Sequence, residues 1–396
     1  MTCRAALVAM LLALLAAGQL SIADAVAAPP RIDARAWELI DAHNGDVIAS
    51  HAARRRLPIA STTKLMTAYL ALHELPLNQI VRAAPYTPIY GESLLELRPG
   101  QRISVRDLLY GLILRSGNDA AYDLALAATG SEASFVRQMN RRAAALGLTD
   151  THYANPIGLD EPGNYSSAGD LATLARRLLR IPAFARIADS RSAVLRSVRP
   201  RRRIETINHF LEERPWATGV KTGHTFAAAY VLVGSGRRKG VSLISALIGA
   251  PTETERDEGT ERLLEYGFSL YRRRTPVRAG QVFATPSIRY SGGELPLRAA
   301  RRVTVGIRRG QSLRTEVRAP LEVEGPLRRG QILGRIVVRV DGRAAASVPL
   351  RAAHAVEKAG LLDRARSFAS DHLLWLLLAL SGILVAVLAL ARRQSR

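Results

Sequence analysis

A serine and a lysine three residues apart, Ser61 and Lys64, are the first side chains of this sequence that could do chemistry together. Helix-forming and apolar residues from Leu65 to Leu72 predict a helix that starts near Ser61, and residues three apart share one helix face. A serine hydroxyl becomes a nucleophile when a neighbouring base takes its proton, and a neutral lysine amine can be that base. For this, the ordinary lysine pKa of about 10.4 must fall by roughly three units, or about 4 kcal/mol. We therefore expect Lys64 to be buried or close to another cation.

The lysine content of the chain makes this pair more informative than its pattern alone. A Ser-x-x-Lys is common by chance, and its ordinary alternative is an N-capping serine followed by a surface lysine. The chain has 56 Lys plus Arg, yet lysine stands only at positions 64, 221, 239 and 358. Arginine cannot lose its proton in a protein, whereas lysine can. Lysine is therefore expected to be retained, within this arginine-rich composition, at a site where an amine must lose its proton.

Two further motifs follow in order along the chain. Ser116-Gly-Asn118 falls on a predicted tight loop between two helices, and Lys221-Thr-Gly223 lies where the pattern becomes strand-like. Together with Ser61-x-x-Lys64 they form an ordered set that is typical of penicillin-binding proteins and serine β-lactamases. Three such motifs in one order are far more specific than any one of them.

The motifs predict a nucleophile, a base and a proton carrier. Ser61 is expected to attack a carbonyl carbon while Lys64 accepts the hydroxyl proton. Ser116 can pass a proton on to the leaving amine. The sequence thus predicts acyl transfer through these three catalytic side chains.

The same motifs supply residues that are predicted to bind the substrate. Asn118 can offer its amide to the substrate backbone, Lys221 supplies positive potential, and Thr222 can hydrogen-bond a carboxylate. Gly223 and His224 continue the strand, and an edge strand can pair with an extended peptide through its backbone. That backbone and the N–H of the nucleophilic serine can also stabilise an oxyanion.

The chain resembles the low-molecular-mass penicillin-binding proteins that act as serine-type D-alanyl-D-alanine carboxypeptidases. The resemblance covers roughly residues 33 to 350. It is carried by the three motifs and by the segments Ser116-Gly-Asn-Asp-Ala120, Ala145-Leu-Gly-Leu-Thr149, Gly158-Leu-Asp160, Tyr165-Ser-Ser-Ala168 and Val220-Lys-Thr-Gly-His-Thr225. By its distance after Lys-Thr-Gly, Arg256 matches the family's arginine that holds the terminal carboxylate of the substrate. Its alternative is a surface arginine on a helix among acidic residues.

This resemblance implies both a fold and a reaction. The expected fold is an α/β penicillin-recognising domain, with an antiparallel sheet and a helical lobe, followed by a small all-β domain. The expected reaction removes the terminal D-alanine from peptidoglycan stem pentapeptides through an acyl-serine intermediate, without a metal or another cofactor. β-Lactams are then expected inhibitors that acylate the same serine. Endopeptidase activity on peptide cross-links is a variant of this function.

The two ends of the chain predict export and a membrane tether. Residues 1–28 are typical of a secretory signal peptide, and they hold the only cysteine, Cys3. Leu373 to Ala391 is an apolar run, closed by arginines, that is long enough to cross a bilayer and leave a cytoplasmic tail. We therefore expect a catalytic domain at 33–273, a β-rich domain at 276–351, a polar helical stalk at 352–371, a transmembrane helix at 372–391 and a tail at 392–396. The catalytic domain of this single-pass membrane protein would lie on the extracytoplasmic side.

Charge and composition bear on the partners of the protein. A formal net charge of +22 favours anionic surfaces such as lipid or wall polymers. Nucleic acid is not an expected partner, because the chain is predicted to be exported and carries no nucleic-acid motif. The histidines are scattered along the sequence, so no metal site is expected.

Two other functions compete with the carboxypeptidase. A class A-like β-lactamase shares the three motifs, but it needs a glutamate that activates water, typically in a Glu-x-x-x-Asn loop. Within residues 151–175 the only glutamate is Glu161, and that spacing is absent. A non-catalytic envelope scaffold is the second competitor, and the intact motif side chains argue against it.

Overall fold

The computed structural model describes residues 28–290 and 292–371, together with residues 378, 380–383, 385 and 387. The chain divides into a first unit that reaches Leu270 and a second unit that starts at Tyr271 and also includes Lys239–Val241. The predicted signal peptide lies outside the described residues, apart from residue 28. The domain boundaries drawn from the sequence stay a prediction.

The first unit combines helices with short and long strands. In chain order its elements are β1 (Ala36–Asp41), β2 (Val47–His51), α1 (Lys64–Glu74), β3 (Ile80–Arg82), β4 (Arg102–Ser104), α2 (Val105–Leu114), α3 (Asn118–Thr129), α4 (Glu132–Leu146), α5 (Ala168–Leu179), α6 (Pro182–Ala188), β5 (Ser192–Leu195), β6 (Arg202–Glu205), α7 (His209–Glu213), β7 (Ala217–Thr225), β8 (Ala229–Arg238), β9 (Val241–Ala250) and α8 (Glu253–Ser269).

Strands from both ends of this unit form one five-stranded sheet in the order β2-β1-β9-β8-β7. Gly45, with a φ of +84°, provides the turn of the β1–β2 hairpin, and an Asn-Gly pair between apolar runs is typical of such a turn. β1 is antiparallel to both neighbours, so Trp37 lies opposite His51 on one side and Leu247 on the other. β7 pairs with β8 and forms one edge of the sheet. The antiparallel sheet predicted from the sequence is confirmed.

Helix α1 lies at the centre of the helical lobe. All residues from Lys64 to Ala71 are buried, as expected of a helix that is enclosed on every side. It packs against α2, α3, α4 and α5. Side-chain caps fix the starts of α2 and α5, because Ser104 accepts from the N–H of Asp107 and Ser167 accepts from that of Asp170. This packing holds the N-terminal end of α1, where Ser61 lies, in one place.

The second unit is built mainly of strands. Its elements are β10 (Tyr271–Val277), β11 (Val282–Ala284), β12 (Ser287–Ile288), β13 (Leu297–Ala299), β14 (Val303–Arg308), β15 (Leu313–Arg318), β16 (Glu322–Val323), β17 (Ile332–Val340), β18 (Arg343–Ala352) and α9 (Leu361–Asp371). Five strands form a sheet in the order β11-β13-β18-β17-β15. Buried aliphatic residues such as Leu297, Ile336 and Val348 form its core. The predicted small β domain is confirmed.

The structure describes the whole of the predicted stalk but only a few residues of the predicted membrane span. The expectation of a helical stalk over 352–371 is wrong in its first half, because α9 begins only at Leu361. Most of the predicted span at 372–391 lies outside the described residues. In the part of the chain that the structure describes, no helix has the length and apolar character needed to cross a bilayer.

Candidate active site

Ser61 and Lys64 meet at the N-terminal end of α1. Ser61 lies in a single 3-10 turn, Ala60–Thr63, that continues directly into α1. The Lys64 Nζ donates hydrogen bonds to the Ser61 Oγ at 2.8 Å and to the Ile157 carbonyl at 2.5 Å. Lys64 is fully buried, whereas Ser61 is half-buried. The amine and the hydroxyl are therefore close enough for direct proton transfer.

Two glycines allow other segments to approach Ser61 closely. A Cβ on Gly158, whose φ is +95°, would lie 2.1 Å from the Ala60 carbonyl oxygen and 2.9 Å from the Ser61 nitrogen. A Cβ on Gly223 of β7 would lie 3.0 Å from the Ala60 Cβ and 3.1 Å from the Ser61 nitrogen. A Cβ would therefore clash with the backbone at position 158 and would be unusually tight at position 223. The strand with the Lys-Thr-Gly motif thus packs directly against the backbone of the nucleophile.

The surroundings of Lys64 favour a neutral amine. Burial lowers the pKa of Lys64 well below its ordinary range, and the neighbouring Lys221 lowers it further. The carboxylates of Glu92 and Asp119 oppose this shift, but they do not reverse it. A cation loses its hydration on burial and is repelled by a second cation, so both main effects disfavour the protonated form. Both causes thus favour the neutral amine that a general base requires.

Lys221 supplies the second amine of this buried pair. It lies on β7, is almost fully buried, and its Nζ donates to the Thr222 carbonyl at 2.7 Å. Burial, followed by the nearby Arg256, lowers the pKa of Lys221 to about 7. A charge on Lys221 disfavours a second charge on Lys64, because like charges repel. The pair is therefore suited to one neutral and one protonated lysine.

Ser116 lies on the tight turn between α2 and α3, as the sequence predicted, whereas Asn118 is already the first residue of α3. Ser116 is buried and has a φ of +58°, a left-handed conformation that is uncommon for a residue with a side chain. Within the described residues its hydroxyl makes no hydrogen bond, so it is available to another group. The backbone N–H of Asn118 donates to the Ser93 carbonyl at 2.8 Å.

Two acidic residues without a predicted role hold this turn against the preceding loop. The Asn118 Nδ2 donates to the Glu92 Oε2 at 2.8 Å. The Asp119 carboxylate accepts from the backbone N–H groups of Leu95 at 2.7 Å and Leu97 at 3.0 Å. Asp119 belongs to the quoted Ser-Gly-Asn-Asp-Ala segment, whereas nothing in the sequence near Glu92 signals a partner. The loop over residues 92–97 therefore holds the Ser-Gly-Asn motif in position through these hydrogen bonds.

Thr222, Gly223 and His224 follow Lys221 along the edge strand β7. Thr222 is buried, while His224 is exposed and its ring packs at 4.2 Å from the ring of Tyr230 on β8. Beyond His224, the Thr225 hydroxyl donates to the Asp160 carboxylate at 2.7 Å. This bond ties the end of β7 to the loop that also carries the carbonyl partner of Lys64.

Arg256 differs from the surface arginine that was its alternative. Its side chain on α8 is buried, and its Nε and Nη2 donate to Asp257 at 2.8 and 3.0 Å. The Nη2 also donates to the Glu253 Oε1 at 2.8 Å. Within the described residues the Nη1 makes no hydrogen bond. Because Arg256 lowers the pKa of Lys221, its charge acts on the same site.

The structure thus brings together the residues predicted at Ser61, Lys64, Lys221 and Gly223 by direct packing and electrostatics. Asn118 is linked to the same cluster through Glu92, whereas His224 lies at its exposed end. Over the residues that the structure describes, no group of three or more histidine, cysteine, aspartate or glutamate side chains could hold a metal ion.

Two families match the sequence, each over one of the two units. Residues 23–252 match the family described as D-alanyl-D-alanine carboxypeptidase, and residues 271–358 match the C-terminal domain of penicillin-binding protein 5. The chain is 33% identical over 360 residues to the D-alanyl-D-alanine carboxypeptidase DacC of Escherichia coli, covering 86% of this chain and 88% of that protein. It is 30% identical over 340 residues to the D-alanyl-D-alanine carboxypeptidase DacF of Bacillus subtilis, covering 83% of this chain and 87% of that protein.

Solved structures agree with these matches. Penicillin-binding protein 6B of Escherichia coli superimposes with a TM-score of 0.60 at 28% identity, over 82% of this chain and 97% of that chain. Penicillin-binding protein 5 of Haemophilus influenzae superimposes with a TM-score of 0.58 at 28% identity, over 84% of this chain and 100% of that chain. The resemblance stated from the motifs is confirmed. The chain belongs to the D-alanyl-D-alanine carboxypeptidase family of serine-type, penicillin-binding peptidases.

Proposed function

We propose that the protein removes the terminal D-alanine from peptidoglycan stem pentapeptides through an acyl intermediate on Ser61. The hydrogen bond of 2.8 Å between the Ser61 Oγ and the buried Lys64 amine carries this proposal. A buried amine with a lowered pKa is the base that such a serine requires. The family membership supports the class of substrate, and the geometry supports the assignment of nucleophile and base.

The reaction follows from the positions of these groups. Lys64 takes the proton of Ser61 as the Oγ attacks the carbonyl carbon of the penultimate D-alanine. The backbone N–H of Ser61 and the backbone near His224 stabilise the oxyanion. The peptide C–N bond then breaks, and the leaving D-alanine amine receives a proton through Ser116. Water attacks the acyl-serine in a second step, which releases the shortened peptide and regenerates the hydroxyl.

The remaining predicted residues bind the substrate. Lys221, Thr222 and Arg256 attract its terminal carboxylate with two cations and a hydroxyl. Asn118 hydrogen-bonds the backbone of the stem peptide, and the exposed edge of β7 at Gly223 and His224 pairs with the extended peptide. β-Lactams present the same carbonyl and carboxylate, so they acylate Ser61 and leave slowly.

Intact-mass spectrometry after incubation with benzylpenicillin tests the nucleophile. We expect an adduct of one penicilloyl group on the wild type and none on Ser61→Ala, while the exposed serine variant Ser50→Ala keeps the adduct. Release of D-alanine from a pentapeptide should disappear in the same variant. Full D-alanine release by Ser61→Ala would show that the nucleophile is wrongly assigned. Rapid penicillin hydrolysis without an adduct would favour a β-lactamase, and neither adduct nor hydrolysis would favour a scaffold.

We further propose that the protein acts outside the cytoplasm, exported by residues 1–28 and tethered by residues 372–391. The apolar sequence of both segments supports this proposal. Alkaline carbonate extraction of cell membranes is a suitable test. The full chain should stay with the membrane, whereas a chain that ends at residue 371 should appear in the extracted fraction. Equal extraction of both would contradict the tether.

A further inference from the structure

The loop before the Ser-Gly-Asn motif places a carboxylate, Glu92, directly on a residue that binds substrate. The Glu92 Oε2 accepts from the Asn118 Nδ2 at 2.8 Å, and it also accepts from the Tyr86 hydroxyl at 2.5 Å. Its second oxygen accepts from the N–H of Ile89 at 3.1 Å. Three donors, two from its own loop and one from the start of α3, thus fix this half-buried carboxylate.

These contacts decide which way the Asn118 carboxamide points. A carboxylate accepts hydrogen bonds and cannot donate them, so only the nitrogen side of the carboxamide can face Glu92. Its oxygen, which accepts no hydrogen bond within the described residues, is left to face a substrate N–H. A flipped carboxamide would bring its oxygen against the carboxylate and lose this bond.

We propose that Glu92 is a positioning residue for the carboxypeptidase reaction, which orients Asn118 for the substrate backbone and acts electrostatically on the general base. This inference rests on the proposed function of Ser61 and Lys64. It gives Glu92 two separable effects, because the hydrogen bond depends on an acceptor atom and the electrostatic effect depends on the charge.

The charge effect has a definite sign. Lys64 interacts electrostatically with Lys221 on β7, Asp119 on α3 and Glu92 on the loop, and Lys221 in turn interacts with Arg256 on α8. Glu92 and Asp119 raise the pKa of Lys64, against burial and Lys221. Removal of the Glu92 charge should therefore make Lys64 neutral at a lower pH. The acidic limb of the acylation rate, which follows the neutral fraction of Lys64, should move to lower pH.

Two variants separate the effects. Glu92→Gln keeps an acceptor for the Asn118 Nδ2 but removes the charge, whereas Glu92→Ala removes both. Glu96→Gln is a control on the same loop, because the Glu96 carboxylate is 81% exposed and, among the residues that the structure describes, pairs only with Arg202, at 3.6 Å. The measurement is the second-order rate constant of acylation by benzylpenicillin as a function of pH, with thermal unfolding as a check on folding.

We expect Glu92→Ala to lower the plateau rate constant by roughly 10-fold, the usual effect of losing a hydrogen bond to a charged group. Glu92→Gln should keep a plateau within about three-fold of the wild type, and both variants should shift the acidic limb to lower pH. Glu96→Gln should match the wild type.

Several results would overturn the inference while the wild type still acylates. One such result is an acylation rate constant whose plateau and acidic limb are unchanged in both variants. Others are an equal loss of plateau in Glu92→Gln and Glu92→Ala, or an acidic limb that moves to higher pH.

An unacylated wild type would instead refute the proposed function, and crystal structures would then test the positioning alone. The Asn118 carboxamide should keep its rotamer in Glu92→Gln and leave it in Glu92→Ala, and an unchanged rotamer in both would refute the positioning role.

Discussion

The two units of the molecule treat charge in opposite ways. In the first unit, Lys64 and Lys221 are buried beside one another, and burial lowers the pKa of both amines. In the second unit, Glu316 lies on the surface of β15 and accepts from Arg318 at 2.6 Å and Arg339 at 2.9 Å. These arginines lower the pKa of Glu316, and each of its two carboxylate oxygens has a partner.

The difference shows that the active site contains a group that is unfavourable for stability but required for the reaction. A buried cation without a carboxylate in direct contact is unfavourable for folding, and its instability is what makes it a base. An exposed ion pair is screened by water and salt, so it contributes little to stability and has no reactive form. Substitutions of the buried lysines should therefore change activity strongly. Substitutions of Glu316 and its arginine partners should change activity and stability little.

The largest effect is expected from Lys64→Met. Methionine has a similar volume but no base, so acylation by benzylpenicillin should fall by roughly 10²–10⁴-fold. Because the substitution also removes a desolvated amine, the free energy of unfolding should stay the same or rise. Stopped-flow acylation and urea denaturation measure the two quantities. Lys358→Met, at an exposed position, is the control and should change neither.

A clear loss of stability in Lys64→Met would contradict the comparison. It would mean that the buried Lys64 amine contributes to the free energy of unfolding, so that its burial is not unfavourable.

The second largest effect is expected from Gly158→Ala, because close backbone packing creates the buried cluster. The new Cβ would lie 2.1 Å from the Ala60 carbonyl oxygen, so the turn that carries Ser61 must move. We expect a loss of about 1–3 kcal/mol in stability and a marked fall in acylation. Gly163→Ala is a matched control, since Gly163 also has a positive φ but its Cβ would only contact the His152 ring at 3.5 Å. If both variants lose acylation equally, backbone strain rather than the clash explains the effect.

Much of this arrangement could be predicted from the sequence. The three motifs depend on side-chain chemistry and on local spacing, which a sequence displays directly. The limits of α2, Val105–Leu114, also follow from local features, because its apolar period and its Ser104 cap both lie within a few residues of one another. The edge position of β7 followed from the strand-like pattern around Lys-Thr-Gly and from the family resemblance.

The support of the site could not be predicted in the same way. Glu92 meets Asn118 across 26 residues of sequence, and Ile157 meets Lys64 across 93. Such contacts depend on how distant segments pack, which no local pattern encodes. The prolines near position 85 indicate only a break in helical structure, so the sequence does not reveal the role of the loop over residues 92–97. The burial of Arg256 was missed for the same reason, because its neighbours in sequence are acidic and polar.

The pH dependence of substrate binding should sharpen the comparison further. The pKa of Lys221 is lowered to about 7, so the amine is protonated below pH 7 and loses its charge as the pH rises through that value. We therefore expect KM for a pentapeptide with a free terminal carboxylate to rise above about pH 7. In Lys221→Arg the charge persists, and this rise should disappear. Steady-state kinetics from pH 5 to 9 measure the effect, with Lys239→Arg as the control, whose KM should follow the wild type. A KM that rises identically in all three proteins would show that another group controls binding.

The smallest effect is expected in the second unit. Glu316→Gln removes the charge that Arg318 and Arg339 share, yet these side chains are 40%, 47% and 32% exposed, so water replaces the lost contacts. Urea denaturation of the variant should match that of the wild type within error, and acylation by benzylpenicillin should be unchanged. Raising the salt concentration should likewise leave the stability difference near zero, because little electrostatic energy remains to be screened. A measurable loss of stability at low salt that disappears at high salt would show that this surface cluster does contribute. The surface carboxylate and the buried lysines would then differ only in how strongly their charges affect stability, and solvent exposure would set that strength.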